Sequence, residues 1–113
     1  MVRYAGPVLD RTFSALADAH RRQILDHLEH GPRSISELAA PLDMSLPGVL
    51  KHIRILEEAH LVETSKQGRT RWCRLQGQPL DTAGQWIDER RQRWEARIDK
   101  FARHVESTAA TRR

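Results

Sequence analysis

The sequence predicts a mainly α-helical fold with one small β-hairpin. Three observations carry this. Apolar residues recur at steps of three and four through most of the chain, as one face of a helix requires. Between Leu61 and Leu75 that spacing gives way to two short runs on either side of Gln67-Gly68-Arg69-Thr70, as in two strands and a turn. Serine, aspartate, glycine and proline stand where helices start and stop.

The elements follow in order. Leu9, Phe13 and Leu16 share helical spacing and predict a short first helix. Asp18 caps a second, whose apolar face is Ile24, Leu25 and Leu28, with Arg21, Arg22, Asp26 and Glu29 in water. Gly31-Pro32 stops it. Ser34-Ile35-Ser36-Glu37 is a capping-box pattern and opens a third helix through Ile35, Leu38 and Ala39. Pro41 disfavours helical geometry at Ala40, so this helix should end early. After the turn Leu42-Asp43-Met44, Ser45 caps a fourth helix, over about 45–59, with Pro47 in its first turn. Val49, Ile53, Leu56 and Ala59 form its core stripe. Leu61–Lys66 and Arg71–Leu75 read as strands joined by Gln67-Gly68-Arg69-Thr70, a hairpin over about 62–75. Leu80, Ala83, Ile87, Trp94, Ile98, Phe101 and Val105 mark one long helix over about 80–105, with a frayed tail over 107–113. Two short helices joined by a turn, then a hairpin, make a winged helix-turn-helix. Residues 1–106 should form one such domain.

Composition narrows the function. The 113 residues are 30% charged and 39% hydrophobic, as in a soluble globular chain. No apolar run approaches the roughly 18 residues that span a bilayer, and Met1–Pro7 lacks the apolar core of a signal peptide. A single cysteine, Cys73, excludes an intrachain disulfide and suits a reducing compartment, so the expected location is cytoplasmic, with no membrane partner. The net charge of +4 favours a polyanionic partner.

The fourth helix and hairpin are built for such a partner. The helix offers Ser45, Leu46, Pro47, Gly48, Leu50, Lys51, His52 and Arg54 outside its core stripe. Their donors suit base edges and phosphates, and the two leucines suit either thymine methyl groups or packing on the preceding turn or the hairpin. The hairpin supplies Lys66, Arg69 and Arg71, with Arg74 as a further candidate outside this main set and Gly68 providing the positive φ of a tight turn. The helix N-termini at Ser34 and Ser45 expose N–H groups that bind phosphates. The expected activity is sequence-specific binding of double-stranded DNA. A protein-interaction module that uses the same fold as a scaffold is the alternative from another class.

Other chemistries lack their residues. There is no nucleophile elbow, phosphate loop or histidine–carboxylate metal motif, so no enzyme is expected. His27 and His30 share a helix face but read as surface histidines, and no metal site or cofactor is expected. Cys73 stands beside Arg71 and Arg74, which would make it oxidisable if they lowered its pKa; a small core residue is the favoured reading. The apolar stripe of the last helix needs a partner, which predicts a two-fold dimer.

The stretch Phe13–Leu25, the Ser45–Val62 segment and the Gly68-Arg69 tip together resemble the ArsR-type winged-helix transcriptional regulators over nearly the whole chain. Trp86…Glu89-Arg90-Arg91-Gln92-Arg93-Trp94 is similar to the metal-free branch of that family. The resemblance implies a homodimeric repressor on a pseudo-palindromic operator, dimerising through its first and last helices: Leu9, Phe13, Trp86, Ile87, Trp94, Ile98, Phe101 and Val105 here. A metal- or redox-responsive repressor of the same fold is the variant reading, and no small-molecule effector is identifiable. The family often has glycine where this chain has His60, a position that ends the recognition helix and suits a left-handed backbone, and serine where it has Leu50.

Overall fold

The computed structural model describes the backbone of residues 2–111 and the side chains of residues 6–110. The expectation about Met1–Pro7 and the last residues of the tail fall largely outside these. The chain runs α1 (Val2–Leu16), α2 (Ala19–Leu28), β1 (Arg33–Ser34), α3 (Ile35–Leu42), α4 (Leu46–Glu58), β2 (Val62–Gln67), β3 (Thr70–Leu75) and α5 (Gln78–Thr111). By packing it divides after Ala83 into two compact units, Met1–Ala83 and Gly84–Arg113. A lone helix packs only between its own turns, which separates such a segment from a layered core.

In the first unit the core is one cluster of apolar side chains. Ile24, Leu25 and Leu28 of α2 meet Leu38 and Leu42 of α3, Val49, Ile53 and Leu56 of α4, Leu61 just ahead of β2, and Cys73 of β3. Leu80, in the first turn of α5, packs against the same cluster. α1 adds Leu9, Ala15 and the fully buried Thr12. The Thr12 hydroxyl donates to the Val8 carbonyl at 2.9 Å, which removes the cost of burying it.

Each capping residue acts as its type dictates. The Asp18 carboxylate accepts from the His20 and Arg21 backbone N–H groups at 2.8 and 3.2 Å. Ser34 and Glu37 form the reciprocal capping box, both bonds at 3.1 Å. The Ser45 hydroxyl accepts from the Gly48 N–H at 3.3 Å. After α4, His60 adopts φ 59°, the left-handed exit expected there.

Five features differ from expectation. α1 starts at Val2 rather than near Leu9; Gly6 and Pro7 weaken the helical signal ahead of the first buried leucine. Pro41 lies inside α3, which continues to the buried Leu42 before Asp43 turns left-handed at φ 51°. Burying Leu42 outweighs the steric preference that proline imposes on Ala40. The sheet has three strands in the order β1-β3-β2. Arg33 and Ser34 pair with Cys73 and Trp72, and two residues are too few to show a strand period. Arg21 is not simply in water: its Nε and Nη2 donate to the Ala15 and Ser14 carbonyls at 2.7 and 3.1 Å, and Arg22 donates to Leu16 at 2.7 Å. These arginines satisfy the orphan carbonyls of α1, whose own last turn carries no basic residue. Finally, the tail is helical to Thr111. Ala109 and Ala110 favour helix by intrinsic propensity, and the Thr108 hydroxyl donates back to His104 at 2.9 Å.

The second unit is the body of α5. Ile87, Trp94, Ile98, Phe101 and Val105 are exposed there, at steps of seven, four, three and four, so they form one apolar stripe. Trp94 is 62% and Phe101 68% exposed. The stripe is flanked by charges paired along the helix, including Arg91 to Asp88 at 2.7 Å, and the Arg90 guanidinium lies 4.3 Å from the Trp86 ring centre.

Candidate nucleic-acid interface

α4 presents two ridges to solvent. Leu46, Leu50 and Arg54 form one at steps of four; Pro47, Lys51 and Arg54 form the adjacent one. All five side chains are exposed, with Leu46 at 49% and Leu50 at 41%. The opposite face, Val49, Ile53 and Leu56, is sealed in the core, so these leucines are not displaced core residues. They line a cleft with Ser34, Ser36, Arg69 and Arg71, which places recognition helix and hairpin tip around one concave surface.

The hairpin turns its cations toward that surface. In the β2–β3 register Val62 faces Leu75, Thr64 faces Cys73 and Lys66 faces Arg71. Side chains alternate along a strand, so Lys66 and Arg71 lie on the face that carries buried Val62 and Cys73, beyond the point where the core ends. Two like charges directly opposite destabilise a bare hairpin; a polyanion reverses that. Gly68 takes φ 63° at the first central position of the turn, and Arg69 is exposed beside it. At the base of the hairpin Arg74 is ion-paired with Glu63, which also accepts from Gln76. The Arg74 side chain holds the Glu63 carboxyl below its usual range. Charge at the base is therefore neutralised, and Arg74 leaves the contact set. Lys51, Arg54, Lys66 and Arg69 take part in no ion pair among the described residues.

Three further predicted contacts change role. Ser34 is buried and its hydroxyl caps α3. The Ser34 backbone N–H holds the Glu37 carboxyl below its ordinary value, which keeps a negative charge at that terminus and makes it a poor phosphate site. Exposed Ser36, two residues on, and exposed Thr70 are the hydroxyls the cleft offers instead. Gly48 serves the helix start, its N–H donating to the Ser45 hydroxyl at 3.3 Å. His52 does not face solvent, its side chain being 15% exposed. Its Nδ1 lies 3.3 Å from Arg21 Nη1 and 4.0 Å from Asp18 Oδ1, and its ring centre 5.6 Å from that of His20. The spacing already held the signal: His52 lies three residues after Val49 and four before Leu56, at the edge of the core stripe. Burial lowers the His52 pKa, with Asp18 opposing the shift and Arg21 reinforcing it.

Asp18, His20 and His52 bring ligand atoms within 4.8 Å of one another, the spacing a metal ion needs. The cluster does not fit one. The Arg21 guanidinium already supplies its cation at His52 Nδ1 and is fixed by its bonds to α1. A divalent ion would meet that charge at close range. Cys73 is fully buried, and burial, reinforced by Glu57, pushes its thiol up to about 11. The neighbouring arginines therefore do not activate it, and the core reading of this cysteine holds. Among the sites expected for dimer contacts, Leu9 is packed inside its own unit, whereas Phe13 is exposed.

Comparison with known proteins agrees with this geometry. A model described as "Helix-turn-helix domain" matches residues 16–65. The chain is 41% identical over 75 residues to the HTH-type transcriptional regulator Rv2034 of Mycobacterium tuberculosis, covering 66% of this chain and 68% of that one. It is 27% identical over 79 residues to the transcriptional repressor SdpR of Bacillus subtilis, covering 70% and 88%. The crystal structure of the ArsR family transcriptional regulator RHA00566 superposes with a TM-score of 0.76 at 42% identity, over 80% of this chain and 93% of that one. The homodimeric winged helix-turn-helix DNA-binding domain of Mb0332 from Mycobacterium bovis superposes with a TM-score of 0.64 at 26% identity, over 83% and 85%. No helix among the described residues is long and apolar enough to cross a membrane. The hairpin beside an exposed, capped recognition helix and these likenesses together place the chain in the ArsR family of winged helix-turn-helix transcriptional regulators.

Proposed function

We propose that the protein is a homodimeric repressor that binds a pseudo-palindromic operator in duplex DNA, near adjacent genes or its own. α4 enters the major groove with Leu46, Leu50, Lys51 and Arg54 toward the bases and phosphates. The tip of the hairpin, with Lys66, Arg69 and Arg71, reaches the neighbouring backbone or minor groove. Its place of action is the cytoplasm, where that DNA is. The observation that carries this reading is the shared face: two exposed leucines of α4 and the hairpin arginines Arg69 and Arg71 around one cleft. The exposed stripe on α5 and the homodimeric Mb0332 domain support pairing; SdpR, a repressor, supports the direction of control.

Selection of duplexes from a random library by the intact protein tests it. The expected result is an enriched inverted repeat whose half-site centres are one helical turn apart, about 34–36 Å. Recovery of no sequence preference overturns the reading. Sedimentation of Trp94→Glu should show a shift toward monomer, because a charge in an apolar seam is left unpaired.

A further inference from the structure

A chain of polar contacts ties three elements together beside the cleft. The Thr64 hydroxyl on β2 donates to the Glu57 carboxylate on α4 at 2.6 Å. Its oxygen in turn accepts from Arg71 Nη1 on β3 at 3.2 Å. Glu57, Thr64 and Arg71 line one cleft with Leu50 and Arg54, and Arg71 also lines the neighbouring cleft with Leu46 and Arg69. A free arginine samples many rotamers and loses that freedom on binding. Lys66 lies directly opposite Arg71 and repels it. Something must hold the guanidinium on the α4 side, and the Thr64 oxygen does so.

Resting on the DNA reading above, we propose that Thr64 and Glu57 are positioning residues that pre-orient Arg71 for DNA. Glu57 makes the inference sharp. A carboxylate beside phosphate-binding cations opposes binding by its charge, so charge alone predicts that removing it tightens the complex. Positioning predicts the reverse. The hydroxyl of Thr64 faces both partners, and only a residue that accepts and donates at once can join them; valine has the shape of threonine without that capacity.

Fluorescence anisotropy with a selected duplex, on the full chain, tests this, with thermal melts to confirm folding. Arg71→Ala should weaken binding most. Thr64→Val should weaken it roughly 3- to 10-fold, the worth of an ordinary hydrogen bond, and Thr64→Ser should restore it. Glu57→Ala should bind less tightly than wild type. Thr64→Val made in an Arg71→Ala background should cost nothing further. Full additivity of that pair, a Thr64→Val protein that binds as wild type does, or a Glu57→Ala protein that binds as tightly or tighter, each overturns the proposal. Failure of the wild-type protein to prefer any duplex is a different result: it removes the DNA reading itself and this inference with it.

Discussion

Arg69→Ala and Arg74→Ala remove the same charge from the same hairpin, yet they should act differently on DNA binding. Arg69 is exposed at the tip and takes part in no ion pair among the described residues. Arg74 is held by Glu63 at the base. Each phosphate neutralised by a cation adds about 0.9 to the slope of log affinity against log salt. Removing one such cation from each protomer therefore lowers the slope by about 1.8 in a two-fold dimer. Between 50 and 200 mM salt, a fourfold change, the wild-type affinity should fall about tenfold more than that of Arg69→Ala. Arg74→Ala should leave the slope unchanged and have only a small effect on stability, since exposed ion pairs are screened by water and salt. The assay is anisotropy on one selected duplex at four or more salt concentrations. Equal changes of slope for the two variants, or none for Arg69→Ala, refute the assignment of tip and base.

Three more expectations follow from particular residues. Leu50→Ala should alter preference at individual thymine-bearing positions, read by competition with single-base variants, while leaving the salt slope intact; a uniform loss at all sequences contradicts base contact by Leu50. Cys73, buried with its thiol pushed up to about 11, should react with thiol reagents at neutral pH only as the fold opens; a fast reaction in the native protein, timed against a denatured control, contradicts its burial. The His52 pKa lies below its ordinary 6.5 because burial disfavours the imidazolium, with Arg21, His20 and Lys51 adding repulsion and Asp18 opposing it. The unfolded chain therefore binds that proton more readily, so the contribution of neutral His52 is present in full above about 6.5 and is lost as pH falls through its folded pKa. Melting temperatures measured from pH 7.5 to 5 should fall more steeply for wild type than for His52→Gln; parallel curves contradict the role given to His52.

Much of the fold was legible because it rests on local chemistry. Ser34 with Glu37, Ser45 with Pro47, and Gly68 each act within a few residues of themselves, and the stripe Val49–Ile53–Leu56 needs nothing but its own spacing. What escaped was decided by distant partners. Arg33 and Ser34 become a strand only because Trp72 and Cys73 pass beside them. Arg21 reads as a surface cation until the end of α1 is seen to need its donors. His52 carried a readable signal at the edge of the core stripe, but its polarity argued for solvent. At the interface, sequence supplied the helix and the cationic tip. It ranked Arg74 below Arg69 without the reason, which is Glu63 lying opposite Arg74 and pairing with it. Nor did it show Thr64 between Glu57 and Arg71, since the three lie on three different elements.

The most direct test of the central claim is to map, by NMR, which backbone amides shift when the intact protein binds a selected duplex. Shifts should concentrate at residues 45–54 and 66–71, on the face shared by α4 and the hairpin tip. Shifts confined to the opposite face of the sheet, around Pro32, Ser65 and Trp72, or an undisturbed α4, would contradict it.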